Sequence, residues 1–152
     1  MLREELNRLL FKENETAVAP AMGLMQVEVS CDGNAAEVLE RASEALCVIL
    51  SVHLVCGNEE EWLTDSSYEL LETWFENNVL VNLQDENVNR DTEEVRMFGY
   101  GRDWFWWSAR VIDNNRLLVY ILLTGFPVSG FDSLRWLLQC AGALRVEQGP
   151  AL

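Results

Sequence analysis

The sequence predicts a single α+β domain over residues 1–152, with an antiparallel sheet of about four or five strands, a strong C-terminal hairpin and helices packed on the sheet. Three observations lead there. Segments with apolar residues at helical spacing alternate with short runs rich in β-branched and aromatic residues. Two such runs flank Asn114-Asn115, residues that tolerate the positive φ of a tight hairpin turn. The chain has 152 residues, 49% hydrophobic and 24% charged, which is enough apolar surface to offset the entropy of ordering one core.

Each element has its own warrant. Leu2, Leu6, Leu9 and Leu10 fall at helical spacing and open the chain with an amphipathic helix, which Asn14 to Pro20 breaks. Met22 to Cys31 ends in the alternation Val27, Glu28, Val29 and reads as a strand. Asn34 is placed as an N-cap with Glu37 three residues on, and Val38, Leu39, Ala42, Ala45, Leu46 and Ile49 line one helical face. One helix from Asn34 to about Cys56 is preferred, although the second half, CVILSVHLVC, also suits a buried strand. Ser66 and Glu69 form a capping box for a further helix, with Leu70, Leu71 and Trp74 turned inward and Glu69, Glu72 and Glu76 outward.

VLVNL (Val79 to Leu83) and EVRMF (Glu94 to Phe98) are strand candidates separated by a polar loop. In the hairpin DWFWWSARVIDNNRLLVYILL, regular alternation puts Phe105, Trp107, Ala109 and Val111 on one face with Leu118, Tyr120 and Leu122. Ser108 and Arg110 take the other face, and the same alternation places Trp106 with them. After GFPVSG, Ser129 caps a helix with Leu134, Leu137, Leu138 and Ala141 inward. Gly142 is placed to end that helix, and ALRVE is a short last strand.

The charge is one-sided. There are 25 acidic residues against 11 basic ones, a formal charge of −14. A nucleic-acid binder or a protein of anionic membrane surfaces needs the opposite sign. A basic protein partner is favoured, because unlike fields speed encounter and orient it. No lysine or arginine occurs between Arg41 and Arg90. That span holds Glu44, Glu59, Glu60, Glu61, Asp65, Glu69, Glu72, Glu76, Asp85 and Glu86. Helix physics accounts for Asp65 and Glu69 at a helix start but not for Glu76 in the last turn, nor for three adjacent glutamates in a loop. The candidate partner-binding residues are therefore Glu59, Glu60, Glu61, Trp62, Asp65, Glu69, Glu72, Glu76, Asp85 and Glu86.

Catalysis has no comparable support. Nothing marks two carboxylates as an acid–base pair, and His53 sits in an apolar run where a core histidine is expected. There is no nucleophile elbow, phosphate-binding loop, dinucleotide fingerprint or EF-hand spacing. Cys31, Cys47, Cys56 and Cys140 lack C-x-x-C spacing, so a zinc site is not expected. The N-terminus MLREELNRLL carries acids and a helical pattern, not a secretion signal, so buried free thiols in a reducing cytoplasm are the expectation. The longest apolar stretch, Ala45 to Cys56, is too short and interrupted to span a bilayer. No enzyme, cofactor or metal is expected.

The order of aromatic strand, Asn turn and apolar strand, followed by GFPVSGFDSLRWLLQCAGA, covers Asp103 to Ala143. Together with the acidic middle, it resembles small immunity proteins of bacterial contact-dependent and other polymorphic toxin systems. That resemblance implies a cytoplasmic protein that binds and neutralises the toxic domain of a cognate effector. Many such domains are nucleases with a basic cleft that an acidic protein can fill. The alternative class is a small acidic type III secretion chaperone, which would dimerise and hold an extended effector segment.

Overall fold

Among the described residues four strands form one antiparallel sheet, and its order places the strand nearest the N-terminus in the interior. The computed structural model describes residues 2–11, 23–57, 62–99, 102–124 and 131–151. Its elements are α1 (Leu2–Phe11), β1 (Leu24–Ser30), α2 (Ala35–Cys56), α3 (Asp65–Asn78), β2 (Trp104–Asp113), β3 (Arg116–Leu123), α4 (Phe131–Cys140) and β4 (Arg145–Ala151). The sheet order is β2-β3-β1-β4, and the chain is a single α+β domain. The expectations for Asn14 to Pro20, for Glu59 to Glu61 and for Ser129 lie outside the described residues.

One face of the sheet carries the core. Met25, Val27 and Val29 of β1 pair with Ile121, Val119 and Leu117 of β3, and all six are buried. α2 is helical throughout, which settles its second half. Val38, Ala42, Ala45, Leu46, Ile49, Leu50 and His53 form one continuous buried stripe, and the stripe overrides the local β-branched preference. Asn34 precedes the helix but does not cap it. Its Oδ1 accepts from the Asp32 backbone N–H, and the helix-start N–H of Ala35 donates instead to the Asn114 carbonyl in the hairpin turn. The turn thus fixes where α2 begins.

The hairpin lies where expected, with Asn114 and Asn115 as its turn, and Ala109 and Val111 take the core side as expected. Trp104 and Trp106, however, stand there in place of Phe105 and Trp107, and β3 turns Leu117, Val119 and Ile121 inward in place of Leu118, Tyr120 and Leu122. The register slips between Trp106 and Ser108, leaving Trp107 at a β-bulge. Trp104, Trp106, Ala109 and Val111 therefore share the core side with Leu123, Ile121, Val119 and Leu117. Phe105, Ser108 and Arg110 lie with Leu122, Tyr120 and Leu118. Trp106 is buried, whereas Arg110 is exposed. A bulge reverses the side of every residue beyond it, and regular alternation cannot foresee that.

α3 is capped by Thr64, whose Oγ1 accepts from the Ser67 N–H at 3.3 Å, rather than by Ser66. Tyr68, Leu71 and Phe75 are buried. Leu70, expected inside, is 67% exposed, and Trp74 is half-buried. Phe75 stacks on Trp136 of α4 at 4.7 Å between ring centroids. The two strand candidates that follow are 3₁₀ segments, Leu80–Asn82 and Thr92–Phe98. In the second, Val95 and Phe98 are the buried pair, three residues apart as a 3₁₀ turn requires, and Asp91 caps it by accepting from Glu93 N–H. Gly142, at φ +113°, follows α4, and β4, the expected last strand, pairs with β1.

α1 is fastened by charge. Glu5 and Arg102 are completely buried and form a bidentate pair, with Arg102 Nη1 3.0 Å from Glu5 Oε2. Glu5 also accepts the Trp106 backbone N–H, and Arg8 Nε donates to the Trp106 carbonyl at 2.8 Å. The Arg102 guanidinium lies 4.6 Å from the Trp104 ring centroid and 4.8 Å from that of Phe105. Removing one member of such a pair strands the other charge. Glu5→Ala is expected to lower the unfolding free energy by about 3–5 kcal/mol in urea titration, and a loss under about 1 kcal/mol would contradict this account.

Candidate functional site

α3 and its approach carry most of the acids singled out in the sequence. Asp65, Glu69 and Glu76 are exposed and Glu72 is half-buried at the shoulder of the helix. Trp62 just before the helix is 58% exposed. Glu69 and Glu76 are two turns apart, roughly 10 Å along the axis, with Thr73 between them and Leu70 beside them on the same open surface.

The stripe is partly neutralised from within. Arg96, on the second 3₁₀ segment, donates through Nε to Glu72 at 3.0 Å and places Nη1 3.5 Å from Asp65. Its guanidinium stacks over Tyr68 at 4.9 Å. An arginine 24 residues beyond Glu72 in the chain thus accounts for two of the acids, which the local charge count could not register. Glu69 and Glu76 make no ion pair among the described residues. Glu59, Glu60 and Glu61 immediately precede Trp62 but lie outside the described residues.

Asp85 and Glu86 do not join this surface as one patch. Both are exposed in the loop after the first 3₁₀ segment, where Asp85 Oδ1 accepts from Asn87 N–H and Arg90 donates to the Leu83 and Asp85 carbonyls. Asp85 lines a shallow cavity of about 290 Å³ with Arg41, Asn82 and Leu144. Glu76 lines a different one of about 600 Å³ with Arg90, Asp91 and the exposed Val81.

A third feature was not anticipated. A groove of about 440 Å³ runs between the end of α1, the first half of α2 and β2. Leu9, Leu39, Trp107, Ala109 and Val111 give it an apolar lining, with Arg8 and Glu40 as its charged residues. Arg8 sits 5.0 Å over the Trp107 ring. The volume is that of a ligand or side-chain pocket. The Trp107 bulge helps to form it, and a bulge has no reliable signature in a single sequence.

Most of the reactive side chains are withdrawn from solvent. His53 is completely buried, and neither ring nitrogen has a hydrogen-bond partner. Its ring occupies the space that a side chain at Gly99 would need, since a Cβ there would lie 2.1 Å from His53 Cε1. Burial, with the Arg102 charge nearby, pulls its pKa down to about 4, so it is a neutral core residue with no approach for a substrate. Burial pushes the Cys47 thiol up to about 11 and the Cys140 thiol up to about 12. Cys31 and Cys140 are buried as expected, Cys47 is half-buried and Cys56 is exposed, contrary to the expectation of buried thiols. Among the described residues no three His, Cys, Asp or Glu side chains are grouped to hold a metal ion. No helix there is long and apolar enough to cross a membrane. Compared with protein-family models, curated proteins and solved structures, the chain matches none.

The buried histidine makes stability pH-dependent with a definite sign. Its pKa is about 4 folded and 6.5 when unperturbed, so the unfolded chain binds the proton more tightly. Its contribution is intact above pH 6.5, declines as pH falls towards 4 and is constant below that. Between about pH 7.5 and pH 5 the loss is about 2 kcal/mol. Urea midpoints measured across that interval should fall in the native chain and fall much less in His53→Leu. Equal slopes in the two proteins would show that His53 does not titrate as described.

Proposed function

We propose that the chain is a binding protein of the immunity kind. It docks on the basic toxic domain of a cognate partner and masks that domain's cationic working surface. The open face of α3 and the acids preceding it supply the contact. The observation that carries this reading is the pairing of charge with apolar surface. Glu69 and Glu76 are exposed without an ion pair among the described residues, and Leu70 and Trp62 stand exposed on the same helix and its approach. Charge of one sign steers a basic partner in, while a large apolar side chain that becomes desolvated slows its release. Arg96 narrows the free acids to fewer than the sequence count, and it holds Glu72 and Asp65 in place beside them. A nuclease is the favoured target, because it must present a basic surface to phosphate. The inhibitor acts by occupation in the cytoplasm, with no catalytic group, cofactor or metal of its own.

The test is to look beside this gene for one encoding a large secreted protein and to use the C-terminal domain of that protein. Co-expression should restore growth, and the purified pair should bind one to one. Changing Glu59, Glu60, Glu61, Glu69 and Glu76 together to Gln should slow association about tenfold or more at low salt and flatten its salt dependence. Trp62→Ala with Leu70→Ala should instead speed dissociation, by a factor on the order of thirty. An unchanged on-rate and salt slope in the first variant would remove α3 as the interface.

A further inference from the structure

β2 is an edge strand, and its edge is covered over only part of its length. At Trp106 both outward backbone groups are taken by α1, the N–H by Glu5 and the carbonyl by Arg8. From Trp107 to Ile112 the described residues make no hydrogen bond outside the β2–β3 ladder. The groove of about 440 Å³ runs alongside this uncovered stretch. At its far end Val111 and Ile112 are consecutive apolar residues, 39% and 38% exposed. An open edge beside an apolar pocket is the arrangement that receives an added strand, with main-chain bonds supplying affinity and the pocket supplying selectivity.

The charge on the opposite wall indicates what the strand carries. Glu40 lines the groove, and Glu44 follows one turn later on α2. Both are exposed, and neither makes an ion pair among the described residues. Like charges four residues apart on a helix repel, and a cation between them reverses that cost. Arg110 lies on the Leu118 side of the sheet, away from the groove. Arg8 is anchored over Trp107 at the closed end, where α1 already occupies the edge.

We propose that Ser108–Ile112 and this groove form a docking site for an extended basic segment of a partner protein. The segment adds beside β2 as a fifth strand, with one aromatic or aliphatic side chain against Trp107 and Leu39 and a lysine or arginine towards Glu40 and Glu44. The site is separate from the α3 face. It uses the first half of α2, whereas α3 meets α2 near its end, where the His53 and Tyr68 rings lie 6.1 Å apart.

The probe is a short peptide alternating lysine with phenylalanine and valine, titrated into the intact isotope-labelled protein. Its counterpart has glutamate for lysine. The basic peptide should shift the Trp107 indole resonance and slow amide exchange at Ser108–Ile112. The acidic one should not. Glu40→Lys with Glu44→Lys should weaken the basic peptide about tenfold. N-methylating alternate peptide amides should abolish binding. Glu69→Gln with Glu76→Gln should leave it unchanged, so a failure of the α3 reading is scored separately. Equal binding of both peptides, indifference to N-methylation, shifts confined to α3 or no binding would each overturn the proposal. So would a free protein that is already a dimer with these amides protected, because a second copy would then be the occupant.

Discussion

The ion pair between Glu5 and Arg102 ties together parts of the chain 97 positions apart. Glu5 belongs to the N-terminal helix and Arg102 to the approach to β2, and both are fully buried. Two charges removed from water are costly unless every lone pair and N–H is answered. Here Glu5 answers both Arg102 Nη groups and the Trp106 N–H, and the Trp104 and Phe105 rings flank the guanidinium. The buried Arg102 Nε–H is left without a hydrogen-bond partner among the described residues. The apolar contacts of a ten-residue helix could slide along its length, whereas this geometry permits one position. That position decides how much of the β2 edge is covered and where the groove beside it begins.

From that fixed end the sheet is shaped by irregularities. The bulge at Trp107 turns Trp106 inward and puts Trp107 beneath Arg8. A second irregularity lies between Val111 and Asp113. Bulges twist an edge strand and discourage indiscriminate pairing along its whole length. Between them remains a short regular stretch. At the other end of α2, His53 fills the space left by the absent side chain of Gly99, and Tyr68 packs edge-on to its ring. Tyr68 carries Arg96 over its own ring, and Arg96 holds Glu72 and Asp65. The core histidine therefore packs directly on the acidic helix through Tyr68, and Arg96 links that ring to Glu72 and Asp65.

The parts of this fold that were legible in the sequence are those set by periodicity within one element. The apolar faces of α2 and α4 and the two-residue hairpin turn could be found without knowing a neighbour. The parts that were not legible depend on a partner distant in the chain. Asn34 is a good cap by type, but its Oδ1 is turned back to accept the Asp32 N–H, and the Asn114 carbonyl of the hairpin turn takes the Ala35 N–H. Val79–Leu83 and Glu94–Phe98 look like strands by composition, but 3₁₀ turns form there instead, the second around the buried pair Val95 and Phe98. Leu70 should be inside by residue type, yet Tyr68 and Phe75 occupy that face. The acidic stripe was visible as a count, but Arg96 was not assignable to it, because a charge tally along the chain cannot see a contact 24 residues away. The groove had no sequence signal, since it depends on a bulge and on three elements meeting.

Charge imbalance is a weak argument for a partner when taken alone. Two unpaired glutamates on an exposed helix cost each other only about 0.2–0.5 kcal/mol, a burden a folded domain carries easily. Water and salt screen the rest within about 10 Å. A formal charge of −14 therefore does not require relief. What distinguishes both candidate surfaces is that free acids adjoin exposed apolar side chains. Glu69 and Glu76 accompany Leu70 and Trp62, and Glu40 shares its groove with Val111. An exposed leucine or valine gains nothing from solvent, while its burial against a partner is worth up to about 1.5–3 kcal/mol. The acids make such burial selective, because an anionic partner must bring like charge close to them and a cationic one meets no such penalty. The apolar residues supply the affinity in this arrangement, and the glutamates decide which partner obtains it.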